Sequence, residues 1–218
     1  MIAVIDYGMG NLRSAQKGLE KAGHAATISS DPSDLERAQG ILLPGVGAFK
    51  DCFEGLRERG FVEPLLASVQ RGRPLLGICV GMQILFDWGE EGEGSPGLRI
   101  LPGKVARFPD AHETGLKVPH MGWNELEPLG ARPCPLFRYL EERPYVYFVH
   151  SYCARPSTDE VVYATSNYGI DFPAVVGRGH VFGVQFHPEK SQSVGIGILR
   201  AFGEYVQEQS DSATITSS

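Results

Sequence analysis

The chain has 218 residues, 42% of them hydrophobic and 21% charged, an ordinary globular composition for a length at which one large domain can bury its own core. Its 26 acidic residues against 20 basic ones leave a formal charge of −6, which argues against nucleic-acid binding, because a protein that tracks phosphates needs clustered positive charge. The longest apolar run, Leu75–Met82, is far shorter than the ~18 residues of a membrane span, so no membrane partner is expected.

Strand and helix signals alternate through the first half. Ile2–Ile5 reads as a strand; the acid at Asp6 and the lack of a basic start speak against a signal peptide. The turn-rich Asp6-Tyr7-Gly8-Met9-Gly10 follows, then Asn11 as the cap of a helix whose face is Leu12, Ala15, Leu19 and Ala22. Further strands are expected near Ala25–Ser29, Gly40–Leu43 and Leu75–Ile78, with helices tracing Val62, Leu65, Leu66 and Val69 and spanning Met82–Trp88. Strands that are apolar throughout and alternate with helices predict a parallel sheet covered on both faces. Glu90–Gly97, rich in glycine and acid, reads as a surface loop. Beyond it the runs Val105–Phe108, Tyr145–Val149, Val161–Thr165, Ala174–Val176 and Val181–Phe186 are strand-like with little room for helices, and predict antiparallel strands added to the parallel sheet. Val194, Ile198, Leu199, Phe202 and Val206 mark a closing amphipathic helix. The expected organisation is one α/β domain over residues 1–208, a three-layer sandwich, followed by a tail at 209–218 with little to bury.

Four cysteines, Cys52, Cys79, Cys134 and Cys153, include no Cys-x-x-Cys pair, which suggests neither a zinc site nor a disulfide framework and points to a reducing cytoplasm. Neither metal nor cofactor is expected. Gly77-Ile78-Cys79-Val80-Gly81 lies between an apolar strand and an apolar helix, the nucleophile-elbow pattern with sulfur in place of oxygen. The turn strains the backbone at Cys79, and the flanking glycines let strand and helix approach without a Cβ clash. The free N–H groups of the following turn, that of Val80 first, could then bind a developing oxyanion. The bland alternative is a buried structural cysteine in a glycine-rich turn.

A thiolate nucleophile needs a base, and the base an orienter. His187, just past a strand, has a carboxylate two positions later in His187-Pro188-Glu189. In an extended segment positions i and i+2 project to one side, and Pro188 disfavours a helical His187. His150 is the rival base, without an acid nearby in sequence, while His24 and His112 read as surface residues. Gly8-Met9-Gly10 fails as a dinucleotide fingerprint because Arg13 stands where the third glycine belongs, and no Walker sequence is present. Pro44-Gly45-Val46-Gly47 follows a neighbouring strand, and its Val46 or Gly47 N–H is a candidate second oxyanion donor.

Gly77-Ile78-Cys79-Val80-Gly81-Met82-Gln83 together with Gln185-Phe186-His187-Pro188-Glu189 resembles the signature of class I, triad-type glutamine amidotransferases, from the first strand to the last helix. Within that group Asp6–Leu12, Pro119–Asn124, Phe148–Tyr152 and Lys190-Ser191 resemble the glutaminase subunits of imidazole glycerol phosphate synthases, although Val80 stands where leucine is usual. The resemblance implies a flavodoxin-like fold and a catalytic triad of Cys79, His187 and Glu189 acting on glutamine. It implies an oxyanion hole from Val80 and Val46 or Gly47, and substrate contacts from Gln83, Ser151 and Tyr152. It also implies a separate (β/α)₈-barrel cyclase subunit that consumes the ammonia, facing Asn11, Pro119, His120, Met121 and Trp123; composition alone would equally allow Trp123 a core role. A subunit of another ammonia-using synthase, a free-standing cysteine hydrolase of the same fold and a non-catalytic regulatory module are the competing readings.

Overall fold

The computed structural model describes residues 1–109, 115–130 and 132–216, with side chains as far as Ser212; His112 lies outside the described residues. The first half follows the expected alternation: β1 (Ile2–Ile5), α1 (Leu12–Lys21), β2 (Ala26–Ser29), β3 (Gly40–Gly45), α2 (Phe49–Glu58), α3 (Val62–Gln70), β4 (Leu75–Cys79) and α4 (Val80–Gln83). The second half adds β5 (Trp88–Gly89), β6 (Ser95–Pro96), β7 (Gly103–Arg107), β8 (His120–Glu125), β9 (Glu127–Pro128), β10 (Tyr145–His150), β11 (Tyr152–Pro156), β12 (Val162–Asn167), β13 (Asp171–Arg178), β14 (Val181–Val184) and α5 (Gln192–Thr216).

The central sheet has eight strands in the order β2-β1-β3-β4-β14-β13-β12-β9. The first five run parallel, and β13, β12 and β9 extend them antiparallel. The extension accounts for only part of the second half. Strands β8 and β10 form their own antiparallel pair, and β11-β7-β5-β6 form a third, four-stranded sheet. Two runs expected in the main sheet, Val105–Phe108 and Tyr145–Val149, therefore lie outside it. Every residue of β1, β3, β4 and β14 is buried, as a parallel sheet covered on both faces requires. The expected face of α5, from Val194 to Val206, is buried, and the helix runs on to Thr216, through most of the segment expected to form a tail.

Three local expectations change. The helix expected over Met82–Trp88 is one turn, ending at Gln83. Ile84, Leu85 and Phe86 are fully buried, and their carbonyls accept N–H bonds from Leu98, Arg99, Ile100 and Leu101, so the following loop wraps this segment in place of further helical turns. Helix α2 is an addition, its buried face being Phe49, Cys52 and Leu56. Asn11 occupies the N-cap position of α1, yet its side chain makes no capping hydrogen bond.

The order of the parallel strands positions the site. Loops after β1, β3, β4 and β14 all leave from the carboxyl edge of the sheet. The β3–β4 register pairs Gly45 with Cys79, and β14 leads directly towards His187.

Candidate functional site

Cys79 closes β4 with φ 55° and ψ −113°, a left-handed backbone that a residue with a side chain adopts only under constraint. The constraint is close backbone packing. A Cβ on Gly81 would collide with the Leu43 carbonyl, one on Gly77 would stand 2.6 Å from the Gly81 oxygen, and one on Gly45 would collide with the Gly81 amide. Three glycines thus let the ends of β3 and β4 press against α4, and the turn between pushes the thiol outward.

His187 meets this thiol as the sequence suggested, by a different local route. His187 itself is extended, but Pro188–Lys190 form a 3₁₀ turn that brings the Glu189 carboxylate back to the ring. Glu189 Oε1 lies 2.9 Å from His187 Nδ1, with both side chains almost fully buried. The segment is pinned by the Tyr147 carbonyl, which accepts from His187 N–H at 3.0 Å. Ser191 adds a second tie, donating to the His187 carbonyl at 2.7 Å and accepting from Tyr147 N–H at 2.9 Å. Burial alone would lower the imidazole pKa. Hydrogen bonds and negative charge at Cys79 and Glu189 outweigh it, and the value is raised from 6.5 to about 9. The pair thus stands beside Cys79, with Glu189 behind the imidazole.

Cys79 and His187 open into one cleft of about 340 Å³, the size class of small-ligand sites. Its walls also carry Val46, Gly47, Val80, Gln83, Ser151 and Tyr152, so every expected oxyanion and substrate residue is gathered there. Side chains hold the stretch from Pro44 to Phe49 from three directions. Tyr7 Oη donates to the Pro44 carbonyl at 2.6 Å, Cys52 Sγ donates to the Val46 carbonyl at 3.3 Å, and Glu91 caps the start of α2 by accepting from Phe49 N–H at 2.8 Å. Glu91, in the stretch read as a plain surface loop, also lines the cleft.

His150, the rival base, reaches the cleft wall but is no base here. It is 6% exposed, and burial pushes its pKa down to about 3. Gln185 was not singled out as a site residue; its Nε2 lies 3.8 Å from Cys79 Sγ, and no local pattern marks such a contact between strand ends. Of the residues expected to face a partner, Met121, Trp123, Asn11 and Pro119 are exposed, Met121 and Trp123 being 63% and 46% accessible, which removes the core role for Trp123. His120 is a correction. At 3% exposure its ring points inward, because β8 alternates and its odd-numbered neighbours face out. Pro119 belongs to the cleft rim. All four cysteines are free, and among the described residues no helix is long and apolar enough to cross a membrane.

The chain is similar to known proteins in fold and in sequence. The fold is that of a solved glutamine amidotransferase (TM-score 0.73, 23% identity, covering 95% of this chain and 100% of that one) and of PurLQS from Thermotoga maritima (TM-score 0.74, 20% identity, covering 94% and 98%). Curated relatives described as imidazole glycerol phosphate synthase subunit HisH are much closer in sequence. Those from Syntrophotalea carbinolica (54% identity, 94% of this chain and 100% of the relative), Geobacter sulfurreducens (52%, 93% and 98%) and Desulfitobacterium hafniense strain DCB-2 (48%, 100% and 99%) are matched along nearly their whole length. The family model for class-I glutamine amidotransferases matches residues 3–203. A family model spanning nearly the whole chain, and relatives about half identical to it from end to end, show that the chain belongs to the class-I glutamine amidotransferase family.

Proposed function

We propose that this chain is the glutaminase subunit of an imidazole glycerol phosphate synthase, serving histidine biosynthesis in the cytoplasm. It releases ammonia from glutamine for a (β/α)₈-barrel cyclase subunit. The observation that carries the chemistry is the single cleft into which Cys79 and His187 both open, with Glu189 at 2.9 Å behind the imidazole.

The thiol proton of Cys79 passes to His187, whose raised pKa suits it to hold a proton at neutral pH. The sulfur attacks the side-chain carboxamide carbon of glutamine, and the tetrahedral oxyanion is met by the Val80 N–H and an amide of Val46 or Gly47. One such donor is worth about 3 kcal/mol in a comparable hydrolase. Collapse expels the nitrogen, which takes the proton from His187 and leaves as ammonia. The glutamyl thioester is then hydrolysed by a water that His187 deprotonates, releasing glutamate and restoring the thiol. Glu189 fixes the imidazole and offsets its positive charge. Gln83, Ser151 and Tyr152 hold the amino acid.

Free ammonia in neutral water is mostly ammonium, which has no lone pair to attack with, so the product must pass along a protected path to its acceptor. Exposed Met121 and Trp123 on β8 suit the docking surface of the cyclase, aromatic residues and methionine being enriched at interfaces. Glutamate release from glutamine, measured with the chain alone and with the cyclase plus its ribonucleotide ligand, tests the proposal. Slow turnover alone, a rise in the complex and none with Cys79→Ala are expected; equal turnover in both states, or an active Cys79→Ala protein, would overturn it.

A further inference from the structure

Behind the cleft wall lies a buried pair of histidines that the reaction above leaves unused. His150 Nδ1 is 2.8 Å from the Tyr152 carbonyl, and His120 Nδ1 is 3.1 Å from His150 Nε2. A carbonyl only accepts, so His150 carries its proton on Nδ1 and presents a bare Nε2, which takes the N–H of His120 Nδ1. One peptide oxygen thus fixes both tautomers.

The same oxygen accepts from Gln83 Nε2 at 3.0 Å, and Gln83 Nε2 also donates to Gln185 Oε1 at 3.0 Å. Both N–H bonds of the Gln83 carboxamide are therefore engaged inside the protein. Its oxygen has no hydrogen-bond donor among the described residues, is not sealed from solvent, and belongs to a residue lining the cleft. Gln185 completes the chain, turning its own Nε2 towards Cys79 Sγ at 3.8 Å.

We propose that His120, His150 and Gln185 are positioning residues that hold the Gln83 carboxamide in one orientation, nitrogen inward and oxygen towards the cleft, so that the site offers an acceptor to an N–H of the bound amino acid. The inference deepens the glutaminase reading and rests on it. If Gln83 were free to flip, it would present donor and acceptor in turn and hold the amino group of the ligand poorly. The lock persists at neutral pH because both rings stay uncharged. The ring of His120 stacks on Tyr168 (4.1 Å) and Phe148 (4.9 Å), and the ring of His150 stands 5.1 Å from those of Phe108 and Phe172. No carboxylate is among these neighbours, and burial lowers the two values to about 4 and about 3.

The test compares two rates of reaction at Cys79 in the full-length chain, one with a glutamine-like chloroketone and one with methyl methanethiosulfonate, which carries no amino-acid handle. The wild type should favour the chloroketone. His150→Leu should lose about tenfold of that preference, the cost of one unsatisfied buried partner, with its methanethiosulfonate rate unchanged. His150→Asn, whose amide nitrogen falls where Nδ1 stood, should recover most of it. His120→Phe keeps the stack but not the hydrogen bond and should show a smaller loss; it decides the matter if His150→Leu does not fold. An unchanged preference in these variants, an equal slowing with both reagents, or no rescue by asparagine would overturn the positioning role and leave the glutaminase reading intact. A wild type without preference for the chloroketone would remove both.

Discussion

Two side chains, His187 and Glu189, form the buried pair behind the cleft, 2.9 Å apart. The imidazole is raised to about 9 because the hydrogen bonds and charge of its neighbours exceed the cost of burying it. Removing the Glu189 charge tips that balance. Glu189→Gln should bring the His187 titration, followed by imidazole NMR, down from about 9, and slow glutamate release by about 10²–10⁴-fold, the usual weight of an acid–base group. These two partners were legible in the sequence because they lie in one short segment with the elbow cysteine as counterpart. Gln185 and the His120–His150 pair were not. Their roles depend on one carbonyl of β11 lying within reach of α4 and β10, a meeting of three elements that no spacing along the chain records.

At the scale of elements, the site depends on how closely α4 can approach the ends of β3 and β4. Gly81→Ala would drive a methyl group into the Leu43 carbonyl, backbone against backbone, where no flexible side chain can yield. We expect a loss of about 3 kcal/mol in urea unfolding, at the upper end of the usual overpacking range, and slower alkylation of Cys79 as the elbow shifts. An alanine variant with wild-type stability and reactivity would show that the close approach is not needed. The elbow itself was readable from Gly-x-Cys-x-Gly, but the length of its helix was not. Met82, Ile84, Leu85 and Phe86 form an apolar run that a helix or a wrapped loop can bury equally well, and periodicity does not separate the two. Helix α2 escaped for the converse reason. Its buried residues Phe49, Cys52 and Leu56 are spaced helically but interrupted by Lys50, Asp51, Glu54 and Gly55. Runs separated by Pro and Gly revealed most of the second-half strands but not which sheet each joins, because β7, β8, β10 and β11 leave the main sheet while β12, β13 and β14 stay in it.

For the whole molecule, the buried histidines shape stability against pH from two sides. His120 and His150 have folded values lowered to about 4 and about 3 from 6.5. Between those values and 6.5 the unfolded chain binds more protons than the folded one, so stability falls as pH drops through that window. His187 has the opposite sign. Its folded value of about 9 exceeds the free value of 6.5, so its contribution is complete below 6.5 and is lost as pH rises through about 9. Carboxylates with lowered values, such as Glu125 and Glu204, act below the usual 4.5 and leave the span from 6.5 to 5 to the histidines. The midpoint of urea unfolding should therefore peak near pH 6.5 and decline on both limbs. Each limb has its own variant: His150→Asn should flatten the fall from 6.5 to 5 and leave the alkaline limb alone, whereas Glu189→Gln should flatten the fall from 6.5 to 9 and leave the acid limb alone. If either variant changed both limbs equally, the pH dependence would belong to the net charge of the molecule and not to these buried rings.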